Sequence, residues 1–384
     1  MKKITTKLFL VALTAFLLVS CREEETIFLS SDKSVAAPRS DGNLEGFYLL
    51  NEGNMGMNRA SIDLFNYRTG NYTTDIYSER NPAVVKELGD VGNDIQIYGS
   101  KVYAVINVSN KIEVLEKWTA KRIKKIDVPN CRYMAFYKNK AYVSSYSGPV
   151  AINPNAEIGF VAEIDTTTLE IKRKVNVGYQ PEQMVVHNGK LYVANSGGYR
   201  VPNYDRTVSV IDLETFTEIK KIDVGINLFS MQIDSRGDIY VSSRGDYYNT
   251  PSNLFVIDTK TDEKKMQLDI PVLGMCLVDD LLYFYSVSWS YLTNSNKVTY
   301  GILDTKTKKI TSDKIITDGT EKQIMIPYGL QVNPETKEIY ITDAQNYVVT
   351  GYIYCFTPEG KLKWKTTAGN IPAHFAFITK KSKE

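Results

Sequence analysis

A short strand with tyrosine near its centre recurs seven times along this chain. That repeat, the period-2 alternation in the strands beside it and a displaced strand at the C-terminus together predict an all-β, seven-bladed β-propeller of four-stranded antiparallel blades. The copies fall at residues 46–50, 101–105, 140–143, 190–193, 238–241, 281–284 and 338–341. Their tyrosines (Tyr48, Tyr103, Tyr142, Tyr192, Tyr240, Tyr283 and Tyr340) recur at the 40–50-residue drift expected of blade-sized units. Downstream of each copy comes a third strand that ends in a polar turn, as in 208–212, 254–258 and 301–304. A fourth strand follows, and in 218–224 it sets apolar residues on one face and lysines on the other. We label the strands A to D from the axis outward. The first copy has no A strand before it. Residues 372–378 have the form of the other A strands, such as 181–186, so the C-terminal strand closes the ring and removes the free edges that invite aggregation.

The ends carry different information. Lys2, Lys3 and Lys7 precede an apolar run over 8–19, which is signal-peptide length and short of the roughly 20 residues that cross a bilayer as a helix. The run ends in Leu18-Val19-Ser20-Cys21, which resembles a bacterial lipobox, so residues 1–20 are expected to be a lipoprotein signal and Cys21 the lipidated residue. Acyl chains burying about 0.8 kcal/mol per CH₂ then hold the chain to a membrane. Arg22-Glu23-Glu24-Glu25 resembles the acidic export signal of surface lipoproteins, which predicts an outer-membrane, lipid-anchored protein at the cell surface. Residues 26–45 lack periodicity, so 21–45 is expected to be lipidated cysteine plus flexible tether and 46–384 the propeller.

Composition narrows the partners. The chain has 46 basic and 44 acidic residues, and the three leader lysines account for the excess. A near-neutral body argues against nucleic acid and against a polybasic membrane patch. Beyond Cys21 only Cys131, Cys276 and Cys355 remain, with no CxxC spacing, so free buried thiols are expected in place of a disulfide framework or zinc site. The 26 tyrosines against 14 phenylalanines point to exposed contact surface as well as core.

In four-stranded blades the A–B and C–D turns share one face and the B–C and D–A loops the other. The first face carries tight turns such as Asn188-Gly189 and Arg236-Gly237. The second carries long B–C loops over 145–157, 195–206, 243–253, 286–297 and 343–350. These hold Tyr146, Tyr199, Tyr204, Tyr247, Tyr248, Trp289, Tyr291 and Tyr347, and the A-strand approaches add Tyr133, Tyr179, Phe229, Tyr328 and His374 near the channel. Aromatic side chains mixed with amides and hydroxyls on loops make a recognition surface, so Tyr146, Tyr199, Tyr204, Tyr247, Tyr248, Trp289, Tyr291, Tyr328, Tyr347 and His374 are the expected ligand-binding residues.

The strand phrases Leu191-Tyr192-Val193-Ala194-Asn195 and Val208-Ser209-Val210-Ile211-Asp212 resemble the YVTN repeat of YncE-like propellers, over residues 46–378. The opening Leu50-Asn51-Glu52-Gly53-Asn54 resembles the lipoprotein branch of that group in gut Bacteroidota. Within it, BtuG-type members bind cobalamin, so the resemblance implies a monomeric propeller that takes a corrinoid on its long-loop face and hands it to a TonB-dependent transporter. Two alternatives stay open: a protein–protein or surface-layer propeller, and a lactonase- or lyase-type enzyme. Against catalysis stand only two histidines, His187 on the short-loop face and His374 at the channel, with no Ser-His-Asp spacing or Gly-rich phosphate loop. Glu182, Asn93 and Asp94 head A strands, where lactonase-type propellers hold a divalent ion. Here they are expected to satisfy backbone groups, with no metal or cofactor.

Overall fold

A computed structural model describes residues 30–84, 87–290 and 295–380, with side chains omitted at 288–290 and 295–296. The leader, Cys21, the acidic 22–25 segment and Tyr291 lie outside the described residues, as does the side chain of Trp289. Seven antiparallel sheets form the wheel. In blades two to seven the A strands are Gly92–Tyr98, Cys131–Tyr137, Pro181–His187, Leu228–Ile233, Gly274–Val278 and Pro327–Val332, and each opens a sheet of four consecutive strands. Blade one takes its A strand from the chain end. Pro372–Thr379 pairs antiparallel with Leu44–Asn51, setting Phe377 opposite Phe47 and His374 opposite Leu50. The ring therefore closes as the sequence predicts.

The repeated tyrosine has a mechanical role. All seven are buried. The Tyr192 hydroxyl donates to Asp262 Oδ1 at 2.6 Å, Tyr240 to the Thr305 carbonyl at 3.1 Å and Tyr48 to the Lys117 carbonyl at 2.9 Å, while Tyr340 and Tyr67 share a hydrogen bond of 2.9 Å. In each case the partner belongs to the C–D turn region of the next blade round the ring. The aromatic ring fills the space between blades and, in these four, its hydroxyl pins the neighbour, so part of the tyrosine excess is core. Cys131, Cys276 and Cys355 are free and buried, as expected.

Two expectations are corrected. Part of the tether is structured, because Ser31–Ser34 pairs with Asn71–Thr74 as a fifth strand of blade one, and the Arg39 guanidinium sits 4.1 Å from the Tyr67 ring centre. The outer strands of the other blades carry lysine, which discourages edge pairing: Lys124 and Lys125, Lys172 and Lys174, Lys220 and Lys221, Lys264 and Lys265, Lys309, and Lys363 and Lys365. Asn71–Thr74 has none, and it is the edge that the N-terminal strand covers. The second correction concerns 286–297. Most of this expected loop is hairpin, since Leu281–Ser290 and Ser295–Asp304 stay paired out to Ser290 and Ser295, placing Trp289 in a strand opposite Asn296. The alternation Ser286-Val287-Ser288-Trp289-Ser290 has strand period, and it extends the ladder.

Candidate functional site at the channel mouth

The A strands begin at one rim. Cys131, Pro181, Leu228 and Pro327 pair with Ser145, Asn195, Ser243 and Asp343, the last residues of their B strands. Every B–C loop therefore leaves from the rim where the A strands start, as the sequence sorting requires. At that rim four A strands carry two residues opposite one: Arg132-Tyr133 against Ser144, Glu182-Gln183 against Ala194, Phe229-Ser230 against Ser242 and Tyr328-Gly329 against Thr342. Bulges of this kind re-aim side chains beside functional sites. The B-strand hydroxyls that face three of these bulges satisfy the amides they free: Ser144 Oγ accepts from Tyr133 N at 3.1 Å, Ser242 Oγ from Ser230 N at 3.1 Å and Thr342 Oγ1 from Gly329 N at 2.7 Å. Blade six solves the same corner differently. A Cβ on Gly274 would lie 2.2 Å from Tyr285, so only glycine lets that ring lie over its A strand, and the Tyr285 hydroxyl donates to the Tyr328 carbonyl.

The bulges assemble a buried charge cluster across blades three to five. Glu182 is fully buried. Its Oε2 accepts from Arg132 Nε at 3.2 Å and Nη2 at 3.0 Å, and its Oε1 accepts from Arg244 Nη1 at 3.1 Å and the Tyr146 hydroxyl at 2.5 Å. The Arg244 guanidinium stacks 3.6 Å from the Phe229 ring centre. Burial pushes the Glu182 carboxyl up, but the Arg132 and Arg244 charges more than offset it and hold the group below the ordinary carboxylate range. Burial likewise drives the Tyr146 phenol well up.

A second cluster faces it from blades seven and one. Glu52 Oε1 lies 3.0 Å from His374 Nε2, and its Oε2 accepts from the Tyr328 hydroxyl at 2.8 Å. The Glu52 backbone is held on both sides: its N–H donates to the Ile371 carbonyl at 2.8 Å and its carbonyl accepts from Gly92 N at 2.9 Å. Ile371 and Val91, which flank this pinch, are β-branched residues with φ of 54° and 58°. Such residues cost on the order of 1–3 kcal/mol each and persist where surrounding structure imposes them. Tyr133 spans the two clusters, 6.2 Å from the Phe229 ring and 6.3 Å from that of His374.

Around this floor stand the loops. Asp246 Oδ1 accepts from the amides of Tyr248, Asn249 and Thr250 at 2.8–2.9 Å, which turns Tyr247 to a φ of 65°. Tyr247 and Tyr248 are 67% and 88% exposed, the largest aromatic exposures among the described residues. Asn346 repeats the device on blade seven, accepting from Val348 and Val349 with Tyr347 at a φ of 65°. Tyr347 packs edge-on against Tyr328. Tyr199 is partly exposed beside Tyr146, and Tyr204 is half-buried.

One expected contact residue lies inward: Tyr146 is buried at 2% exposure and its hydroxyl donates to Glu182. Tyr199, Tyr247, Tyr248, Tyr328, Tyr347 and His374 reach the rim or floor, with Tyr204 beside Tyr247. Glu182, Asn93 and Asp94 are each engaged by protein groups. Asn93 donates to the Arg132 carbonyl and Asp94 accepts from Met134 N, both at 2.8 Å, while Glu182 is saturated by its four donors. His187 sits at the opposite turn against Asn188. Sequence reasoning passed over Glu52, Arg132, Arg244 and Tyr285. Arg132 had a signal: it occupies the same A-strand position as Glu182, Phe229 and Tyr328.

Solved structures with the same architecture include a quinonprotein alcohol dehydrogenase-like protein of Bacteroides thetaiotaomicron, at 16% identity and TM-score 0.60, covering 88% of this chain and 80% of that one. Apo AztD of Citrobacter koseri is similar at 10% identity and TM-score 0.54, over 90% of this chain and 100% of that one. Hydrazine synthase of Kuenenia stuttgartiensis is similar at 13% identity and TM-score 0.54, over 70% and 77% of the two chains. At these identities the likeness is one of fold. No curated protein matches the chain. A family model does match, over residues 45–377, and the chain thereby belongs to the family described as a domain of unknown function, DUF5074.

Proposed function

We propose that this protein is a lipid-anchored binding propeller, held by Cys21 at the outer membrane, that captures a large amphipathic ligand at the channel mouth without transforming it. The observation that carries the reading is the one-sidedness of the wheel: bulged A-strand heads and long loops open on the same rim, while tight turns close the other. Exposed Tyr247, Tyr248 and Tyr347 supply rigid contact area at low entropic cost, and the paired charges of the floor supply directional contacts. The resemblance to BtuG-type, YncE-like lipoproteins names the ligand class, a corrinoid such as cobalamin, and the next step, transfer to a TonB-dependent transporter. A corrinoid is wide, apolar at its edges and fringed with amides, which suits an aromatic rim around a polar floor.

Mixing the full chain with cyanocobalamin tests this directly. The expected result is a shift in the visible spectrum that titrates to one equivalent. Tyr247→Ala is expected to weaken binding at least tenfold, about 1.4 kcal/mol or more, for loss of a central aromatic anchor. No spectral change with any corrinoid would discard the ligand assignment. A second reading, an acid–base enzyme, draws on the Glu52–His374 pair beside Tyr328. Turnover of a sugar acid or lactone that disappears in His374→Gln would replace binding with catalysis.

A further inference from the structure

Two guanidinium groups share one carboxylate at the channel mouth, and the sum of charges there is the starting point. Arg132 uses Nε and Nη2 on Glu182, and Arg244 uses Nη1. Glu182 takes a fourth hydrogen bond from Tyr146, which fills the lone-pair sites of a carboxylate. Among the described residues no partner is found for Arg132 Nη1 or for Arg244 Nε and Nη2. The cluster thus carries one unbalanced positive charge and unused N–H donors on two oriented guanidinium groups. It is within reach of solvent, for the Arg132 and Arg244 side chains keep 12% and 21% exposure while Glu182 keeps none. Of the other acidic groups near the mouth, Glu52 is engaged with His374 and Tyr328 on the far side of Tyr133, and Asp94, on the neighbouring A strand, accepts from Met134 N and from Gln96 Nε2.

We infer that Arg132 and Arg244, preorganised by Glu182, form an anion subsite that receives a phosphate or carboxylate group. The inference rests on the binding reading above and deepens it by assigning the ligand an acidic substituent at this wall of the mouth. Guanidinium forks match the oxygen geometry of phosphate and carboxylate, and an arginine already fixed by a carboxylate and a stacked ring loses little side-chain entropy on taking one. Glu182 has two effects. It lowers the local potential, so the site holds a single anionic group weakly, and it fixes the donors, so the site is selective in geometry.

Arginine labelling on the intact wild-type chain tests this without a variant. Phenylglyoxal modifies guanidinium groups, and mass spectrometry reads the rate at each arginine. Orthophosphate at about ten times its dissociation constant is expected to slow labelling of Arg244 about tenfold. Arg206, on the rim with 56% exposure and paired to Asp223, is the control and is expected to be unaffected. Protection by orthophosphate alone assigns a free-anion site. Protection by cyanocobalamin, whose nucleotide loop holds a phosphodiester, but not by cobinamide, which lacks it, assigns a subsite of the larger ligand. If phosphate protects Arg244 and no corrinoid binds, the subsite stands and the corrinoid reading falls. Equal loss at Arg244 and Arg206, or no protection by any of the three, overturns the inference. In Arg244→Gln, orthophosphate affinity by calorimetry is expected to fall at least tenfold with partial recovery in Arg244→Lys, and unchanged affinity in a folded Arg244→Gln protein also overturns it.

Discussion

Replacing Glu182 with glutamine asks whether the channel mouth is built around one shared carboxylate. Four donors converge on that group in the native state, three of them from Arg132 and Arg244. Glutamine keeps the shape but turns one acceptor arm into a donor, and either arm faces an arginine, which can only donate. Both guanidinium groups lose their common counter-charge, and removing one partner of a buried ion pair costs about 3–5 kcal/mol. Converting the trio together (Arg132→Met, Glu182→Leu, Arg244→Met) removes the charges as a set and is expected to recover most of that loss. The effect has a pH signature. Glu182 is held below the ordinary carboxylate range, so its contribution is complete above that range and is lost as pH falls through its depressed native value. The gap between wild type and Glu182→Gln is therefore widest near neutrality and narrows in acid. Urea unfolding, followed by far-UV circular dichroism and compared at equal slope, reads the gap. A Glu182→Gln midpoint equal to wild type at neutral pH, or a gap that widens on acidification, refutes the reasoning.

Three further outcomes are expected. Burial and the charge of Asp63 push the Asp75 carboxyl up to about 7, so its contribution to stability is present in acid and lost as pH rises between about 4 and 7. Asp75→Asn is expected to flatten that fall, and thermal midpoints on both sides of the window check it; a variant that tracks wild type throughout counts against it. Tyr192→Phe leaves Asp262 Oδ1 without its donor and is expected to cost about 1 kcal/mol, whereas Tyr103→Phe and Tyr142→Phe, whose hydroxyls have no partner among the described residues, should leave the unfolding midpoint in place. Deleting residues 30–36 uncovers the lysine-free edge Asn71–Thr74, and light scattering is expected to show association; a stable monomer would mean that the covering strand does not guard the edge.

Much of the wheel was legible because its two strongest signals are periodic. The B-strand tyrosine repeats in every blade, and the displaced A strand at 372–378 carries the same pattern as its six counterparts. The faces sorted correctly for the same reason, since antiparallel pairing forces each B–C loop to the rim where its A strand begins. Individual side chains were harder. Tyr146 sits in a loop by sequence, yet a buried carboxylate two strands away draws its hydroxyl inward. Arg244 follows a B strand as an ordinary loop residue, and only the ring places it on Glu182 and Phe229. The tether differed because strand pairing at 31–34 depends on an unprotected edge some forty residues away, which no local pattern announces.

Hydrogen–deuterium exchange with and without cyanocobalamin tests the central claim most directly, because it reads both faces of the wheel in one experiment. Slowed exchange is expected at residues 52–59, 196–206, 244–253 and 344–350, with the turns at 188–189, 236–237, 279–280 and 359–360 unchanged. Protection at those turns, on the outer strands, or nowhere would contradict a ligand seated at the channel mouth.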